Sequence, residues 1–393
     1  MKILIALPRF PYPLDKGDKL RAYHQIVELS KRHQIYLFCV SHTKVSDSQL
    51  EALRPYCKDI HIERLCLPVC WMNTIGNWFR SKSLQMGYWN TTASKKHYRE
   101  YEEKVDPDVV YNQMVRTMPL TARSKRKKVM DFQDALSLNA ERRMDQTRGL
   151  THYLLHYEFK MLRSSEYNAF SFYDGLTIIS ETDSDAIPHK RNGGIRIVRN
   201  GVDFDYFSSQ AVKAEGRYSI AFCGNMSYAP NVDAARYLVE EVMPIVWAAR
   251  PEATVLIAGA DPKAAVRRLA SEQVSVSGRM DDIRQAYASS KVFVAPMRIG
   301  SGLQNKLLEA MSMGLPCVTT PLVNAALGAE SGNHLLCAER TEEIAEHIID
   351  LLGSQNLRET IAAGGHQFVH DNYSWAAAVK PLEESKGIIN TQK

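Results

Sequence analysis

Lys306 and Glu309 stand three residues apart in "MRIGSGLQNKLLEAMSMGLPCV", 297–318, behind Arg298 and a Gly-Ser-Gly turn. Side chains at that spacing share one face of a helix. A helix that begins after Gly300, Ser301 and Gly302, close to Leu303, presents unpaired backbone amides at its positive end, which is a ready anion site. On such a helix Lys306 can reach phosphate oxygens, while Glu309, one turn deeper, can accept from hydroxyl groups. A solvated pair on an amphipathic helix would use the same two residues. The helix, however, runs on into the apolar "PCVTT", so both flanks read as buried, where an idle charged pair is costly; that favours the chemical reading.

Four further places carry chemistry-bearing residues. In "PYPLDKGDKLR" Gly17 lies in a loop, Asp18 can cap a helix from Lys19, and Arg21 one turn on faces either a cleft or solvent. "KKVMDFQDALS" ends in Asp131 with Asp134 three residues later, and capping of the next helix accounts for either one. "RNGVDFDYF" makes a turn at Asn200 and Gly201, and "FCGNMSYAPN" places Gly224 and Asn225 directly after a strand, where a glycine lets backbone approach a ligand. His152 and His156 have helical spacing but lack the acid of an H-E-x-x-H signature, so they read as core or surface. Seven cysteines without a CxxC pair fit reduced thiols rather than disulfides or zinc, and no cluster calls for a metal.

The elements that must position these residues alternate strand and helix. "KILIAL", "IYLFCV", "DIHIERL", "DVVYNQ", "KKVMDF" and "GLTIIS" are short apolar runs of buried parallel strands, separated by helical patterns. The pattern restarts with "YSIAFCG", "ATVLIAG", "VSVSG", "KVFVAP" and "PCVTT", and three helices follow from Thr341. The expected architecture is α/β: two Rossmann-like domains facing a cleft, 1–195 joined by a last helix at 376–393, and 196–375, with ligands at the carboxyl ends of the strands. Charge is split between the halves. Residues 1–200 carry 32 Lys/Arg against 22 Asp/Glu, whereas 201–393 carry 17 against 22, so the front half suits a polyanionic partner. No apolar run approaches the roughly 18–20 residues of a membrane span, so a cytoplasmic protein is expected.

With these segments the chain resembles, over essentially its whole length, the retaining glycosyltransferases of family 4 with the GT-B fold, in their bacterial sugar-transferase branch. The resemblance rests on "RIGSGLQNKLLEAMSMGLPCV", "RNGVDFDYF", "FCGNMSYAPN", "PYPLDKGDKLR" and the closing "YSW". It implies a nucleotide-diphosphate sugar held mainly by the second domain and a glycan or lipid-linked acceptor held mainly by the first. Glu309 matches the second acid of the family's E-x7-E motif, which holds the ribose; the first acid falls at Ser301, a departure that leaves the sugar contacts open. The Arg and Lys of the family's diphosphate clamp fall at Asn225 and Asn231, so Arg298 and Lys306 are expected to compensate the leaving diphosphate instead. Gly17, Asn200, Gly224, Asn225, Gly300, Ser301, Gly302 and Leu303 complete the implied donor set, and Asp18, Arg21 and Asp134 the acceptor set. Asp131 stands where the family often has a histidine or acid near the acceptor hydroxyl, which adds a base role to its capping role.

The aromatic and basic mix of "CWMNTIGNWFRSKSLQMGYWN", with "RSKRKK" at 123–128, reads as packed core or as a helix lying on an anionic membrane, and its place in the acceptor domain favours the membrane. No nucleic-acid module is recognisable. The reaction implied is transfer of a sugar to a hydroxyl with retention, in cell-surface polysaccharide or glycoconjugate synthesis, without cofactor or metal. A nucleotide-sugar 2-epimerase and a non-catalytic nucleotide-sugar-binding membrane scaffold are the alternatives.

Overall fold

The computed structural model describes the chain apart from residues 15, 145–146, 209–211, 213–215, 300–302 and 385–393 and the side chains at 142 and 192. It divides into two units, Met1–Gly201 with the chain from Trp375 onward, and Val202–Ser374. The first holds β1 (Lys2–Leu7), β2 (Gln34–Ser41), β3 (Cys57–Arg64), β4 (Val109–Gln113), β5 (Lys127–Asp131), β6 (Gly175–Ile178) and β7 (Arg196–Ile197). They form one parallel sheet in the order β3-β2-β1-β4-β5-β6-β7. The near-continuous apolar run of β1 follows from burial on both faces. Ile3, Ile5 and Leu7 point to one side, against Ala22, Ile26 and Leu29 of the helix Gly17–Ser30; Leu4 and Ala6 point to the other, against Phe38, Tyr98 and Tyr101. The last helix, Trp375–Glu383, adds Val379 and Leu382 to the first of these cores, and Glu383 accepts two 2.7 Å bonds from Arg32.

The second unit holds β8 (Tyr218–Cys223), β9 (Val255–Ala258), β10 (Val274–Gly278), β11 (Ser290–Ala295), β12 (Cys317–Thr319) and β13 (Leu336–Cys337), parallel in the order β10-β9-β8-β11-β12-β13. The helix that follows β8 is interrupted. It runs as Ala229–Tyr237, one π turn at Leu238–Val242, then Met243–Ala249. Pro244 has no N–H to return to the carbonyl four residues back, and the ladder widens in the turn ahead of it.

Each sheet reverses its strand order once, between β1 and β4 in the first unit and between β8 and β11 in the second. The loops leaving such a pair diverge to opposite faces, so a crevice opens beyond the carboxyl ends of the strands. The two-sheet, Rossmann-like α/β fold class expected from the sequence is the one observed.

Candidate functional site

In the second unit, a pocket of about 340 Å³ lies at the carboxyl ends of β8, β9 and β10. Gly224 and Asn225 after β8, Gly259 after β9, Arg279 after β10, and Lys306 with Glu309 on the helix Asn305–Ser312 line it. The helix begins two residues later than expected, at Asn305. Lys306 Nζ donates to Asn231 Oδ1 at 2.6 Å and stands 4.9 Å from the centre of the Phe222 ring. An ammonium has three donors, so one strong bond leaves capacity for an anion. Burial pushes the lysine down to about 8, against the opposing pull of Glu309. Glu309 accepts from the Tyr287 hydroxyl at 2.6 Å, and burial pushes its carboxyl up.

Backbone packing shapes the pocket floor. Gly259 has φ +141°, and a Cβ there would meet the Gly224 carbonyl oxygen at 1.7 Å; a Cβ on Gly224 would meet Asn231 Nδ2 at 2.8 Å. Asn231 Nδ2 in turn donates to the Asn225 carbonyl at 2.9 Å, so the two asparagines at the clamp positions tie the β8 loop to Lys306 rather than supply charge. The Asn225 side chain accepts from Ser227 N–H and Oγ in a local turn.

Several expected site residues lie elsewhere. Arg298 is not in the pocket: its guanidinium meets Asp233 at 3.0 Å and Glu241 at 3.1 Å and stacks 4.1 Å over the Tyr237 ring, so two carboxylates already neutralise it. The observed geometry gives it no charge to spare for a diphosphate. Leu303 packs its side chain against the core. Gly300, Ser301 and Gly302 fall outside the described residues. Arg279 was missed by the sequence reasoning, although the rule that sites follow strands points to it directly after β10; it is exposed and lines the pocket.

In the first unit the structure gathers Arg21, Asp131 and Asn200 into one buried network. Asp131 receives Arg21 Nε at 2.7 Å and Nη2 at 3.2 Å, the Tyr111 hydroxyl at 2.7 Å and the Gln133 N–H at 3.1 Å, while Arg21 Nη1 donates to Asn200 Oδ1 at 3.0 Å. Burial alone would push the Asp131 carboxyl up, yet Arg21, with the hydrogen bonds, holds it below the usual range. A fully buried, saturated and acidic carboxylate is a poor base, and this corrects the base role; capping is not its role either, since the backbone N–H it accepts from, that of Gln133, lies ahead of the next helix, Leu136–Met144. Asn200 Oδ1 is likewise engaged by Arg21.

Asp18 lies inside the first turn of the helix, which starts at Gly17, and pairs with Arg9 at 3.0 Å instead of capping. Nothing lies within 4 Å of a Cβ built on Gly17. Asp134 is mostly buried, and burial followed by repulsion from Asp183 raises its carboxyl to about 6. Gln133, between the two aspartates, holds a left-handed φ of 64° and buries an Oε1 that has no partner. His152 contacts the Met144 carbonyl at 3.2 Å, and no group of three metal-ligating side chains exists among the described residues.

Residues 217–354 match the family model described as "Glycosyl transferases group 1". Over 95% of its length the chain is 20% identical to an uncharacterised 44.6 kDa protein in the cps region of Klebsiella pneumoniae, covering 96% of that protein. A GDP-mannose-dependent monoacylated alpha-(1-6)-phosphatidylinositol monomannoside mannosyltransferase of Corynebacterium glutamicum is 30% identical over 34% of this chain and 39% of its own. Among solved structures, a glycosyltransferase from Rickettsia africae superposes with a TM-score of 0.65 at 14% identity, over 100% of this chain and 99% of that one. Anabaena HepE in complex with UDP-glucose does so at 0.61 and 15%, over 98% of each. The fold is GT-B, and with the matched second unit these likenesses support a glycosyltransferase.

Proposed function

We propose, from the premise of a group 1 glycosyl transferase domain in a GT-B fold, that the protein moves a hexose from a nucleotide-diphosphate sugar to a hydroxyl of a glycan or lipid-linked acceptor. The observation that carries this reading is the pair Lys306 and Glu309, on one helix face at the floor of a pocket beyond the carboxyl ends of β8, β9 and β10. The diphosphate lies against Lys306 and the ribose hydroxyls donate to Glu309. As the bond from the anomeric carbon to the phosphate oxygen breaks, charge grows on the departing diphosphate, where the buried ammonium is worth most. The acceptor oxygen bonds to the anomeric carbon on the same face, and its proton passes to the departing phosphate, so configuration is retained. No metal enters this scheme. The likeness to a protein of a cps region supports polysaccharide synthesis as the setting.

The acceptor is met at the cytoplasmic face of a membrane. The helix Leu67–Phe79 exposes Trp71 (59%), Met72 (69%), Ile75 (57%) and Phe79 (82%). Packed core would bury such residues; their exposure beside Arg80 and Lys82 supports insertion at an anionic surface. No helix among the described residues is long and apolar enough to cross a membrane.

A thermal-shift screen against UDP, GDP, ADP, dTDP and CMP, each with its sugars, tests the donor site. One diphosphate nucleotide should stabilise the protein, and Lys306→Ala and Glu309→Ala should each abolish the shift. Shifts that ignore both substitutions would remove the donor site. Binding without sugar release in the presence of acceptor extracts would favour the scaffold reading, which the uncharged Asn225 and Asn231 also fit.

A further inference from the structure

Arg116, in the turn after β4, lies mostly buried and, among the described residues, forms no ion pair; its Nε is sealed from solvent without a hydrogen-bond partner. Burial, then repulsion from Arg9, press on its charge, against the longer-range pull of Asp18, Asp134 and Glu158. A buried unpaired guanidinium is costly, and a protein that keeps one has a use for it. Two neighbours add buried nitrogens without hydrogen bonds. His42, after β2, buries both ring nitrogens without a partner, between the rings of Tyr88 and Trp89 at 4.9 Å each. Arg9, after β1, stands 5.8 Å from the Trp89 ring and is ion-paired with Asp18 at 3.0 Å, although its buried Nε makes no hydrogen bond, so Asp18 must yield part of that pairing to an incoming anion. Asn90 binds the Arg116 carbonyl at 2.6 Å, which holds the Arg116 backbone beside this aromatic pair.

The same aromatics lead outward. Tyr88 contacts Trp71 at 5.5 Å, and Trp71 belongs to the exposed apolar face of the helix Leu67–Phe79. A file of rings, Trp71, Tyr88 and Trp89, thus joins an apolar surface to a group of unsatisfied donors. An amphiphile with a hydrocarbon tail and an anionic head fits that sequence of environments. Burial, then Arg9, push the His42 imidazole toward its neutral form; two guanidiniums supply the positive charge and the ring one N–H donor, a set that suits a phosphate.

We propose that Arg9, Arg116 and His42 form a phosphate site for a lipid-linked acceptor, the phosphate held among the three and the lipid chain lying outward over Trp71. This rests on the reading that the first unit takes the acceptor. It adds the acceptor class: a lipid phosphate rather than a free glycan.

The test uses the full chain carrying Lys306→Ala, which removes competition at the donor pocket. Binding of farnesyl phosphate, farnesol and glucose 1-phosphate is measured by calorimetry. Farnesyl phosphate should bind, and the other two should bind about tenfold or more weakly, the scale of one lost charge-assisted hydrogen bond. Arg116→Met and Arg9→Gln should each lose the phosphate-dependent increment, and Arg116→Lys should keep part of it. Without ligand, Arg116→Met should melt at the same temperature or higher, because an unpaired buried charge has been removed. A clear fall in its melting temperature, or farnesyl phosphate binding unchanged in both arginine variants, would overturn the site. Glucose 1-phosphate binding as well as farnesyl phosphate would overturn the lipid source. The nucleotide response of Arg116→Met with Lys306 intact is read separately, so failure of the donor reading is not mistaken for failure of this one.

Discussion

With the diphosphate against Lys306, as proposed, the pocket becomes a proton-linked anion site. The lysine ammonium is held down to about 8 by burial, and a bound diphosphate restores the charge. Above pH about 8, binding must therefore take up a proton, and nucleotide affinity should fall by about tenfold per pH unit. Calorimetry in buffers of different ionisation heat reads that proton directly. For the free protein the sign is opposite: the unfolded chain holds this proton more tightly, so the Lys306 contribution to stability rises as pH climbs above about 8. Asp131→Asn makes a different prediction, because it leaves the buried Arg21 facing a neutral amide. The loss should be roughly 3–5 kcal/mol in urea unfolding; a residue serving only as a base would leave stability in place. Lys306 and Glu309 were legible because their relation is local, three residues on a helix. Arg298 was not, since Asp233 and Glu241, which claim it, are distant in sequence and meet it only through the fold. The same holds for Asp131 at the end of β5, whose partner Arg21 comes from the helix Gly17–Ser30.

Among the elements, the ends of β8 and β9 are pressed together at Gly224 and Gly259. Gly259→Ala would set a methyl against a carbonyl oxygen at an unfavourable φ, backbone on backbone, where no side chain can yield. We expect a loss of about 1–3 kcal/mol, with the nucleotide-induced shift lost while the protein stays folded. Gly17→Ala, at a helix start with open space around it, should be neutral or slightly stabilising in the same melting experiment. The longer strands were readable because buried parallel strands are written as apolar runs. The two-residue β7 and β13 were not, since two residues carry no periodicity, and the π turn at Leu238–Val242 was hidden within a pattern that otherwise looked helical.

For the molecule as a whole, the proposed membrane contact draws on the basic first half and the bare apolar helix together. Replacing Trp71, Ile75 and Phe79 by serine should lower co-flotation with anionic vesicles by about two orders of magnitude, as three partly inserted apolar side chains would. The melting temperature should hold, because these side chains are exposed rather than core. Neutral vesicles should bind the unaltered protein more weakly, and added salt should narrow that gap. At this scale composition suggests a polyanionic partner. It could not say that the aromatics of the segment 67–79 face outward, because core and interface draw on the same residues.

The chain passes from the first unit to the second once and returns once, and each unit closes its own seam. Gly201 lies so close to Trp375 that a Cβ would clash at 2.8 Å, and Val202 N–H bonds to the Tyr373 carbonyl at 2.7 Å. The second unit is therefore a cassette whose two ends are neighbours. It is one uninterrupted stretch of sequence, so exchange at those two points would replace the proposed donor site while the first sheet, with its final helix, is inherited whole.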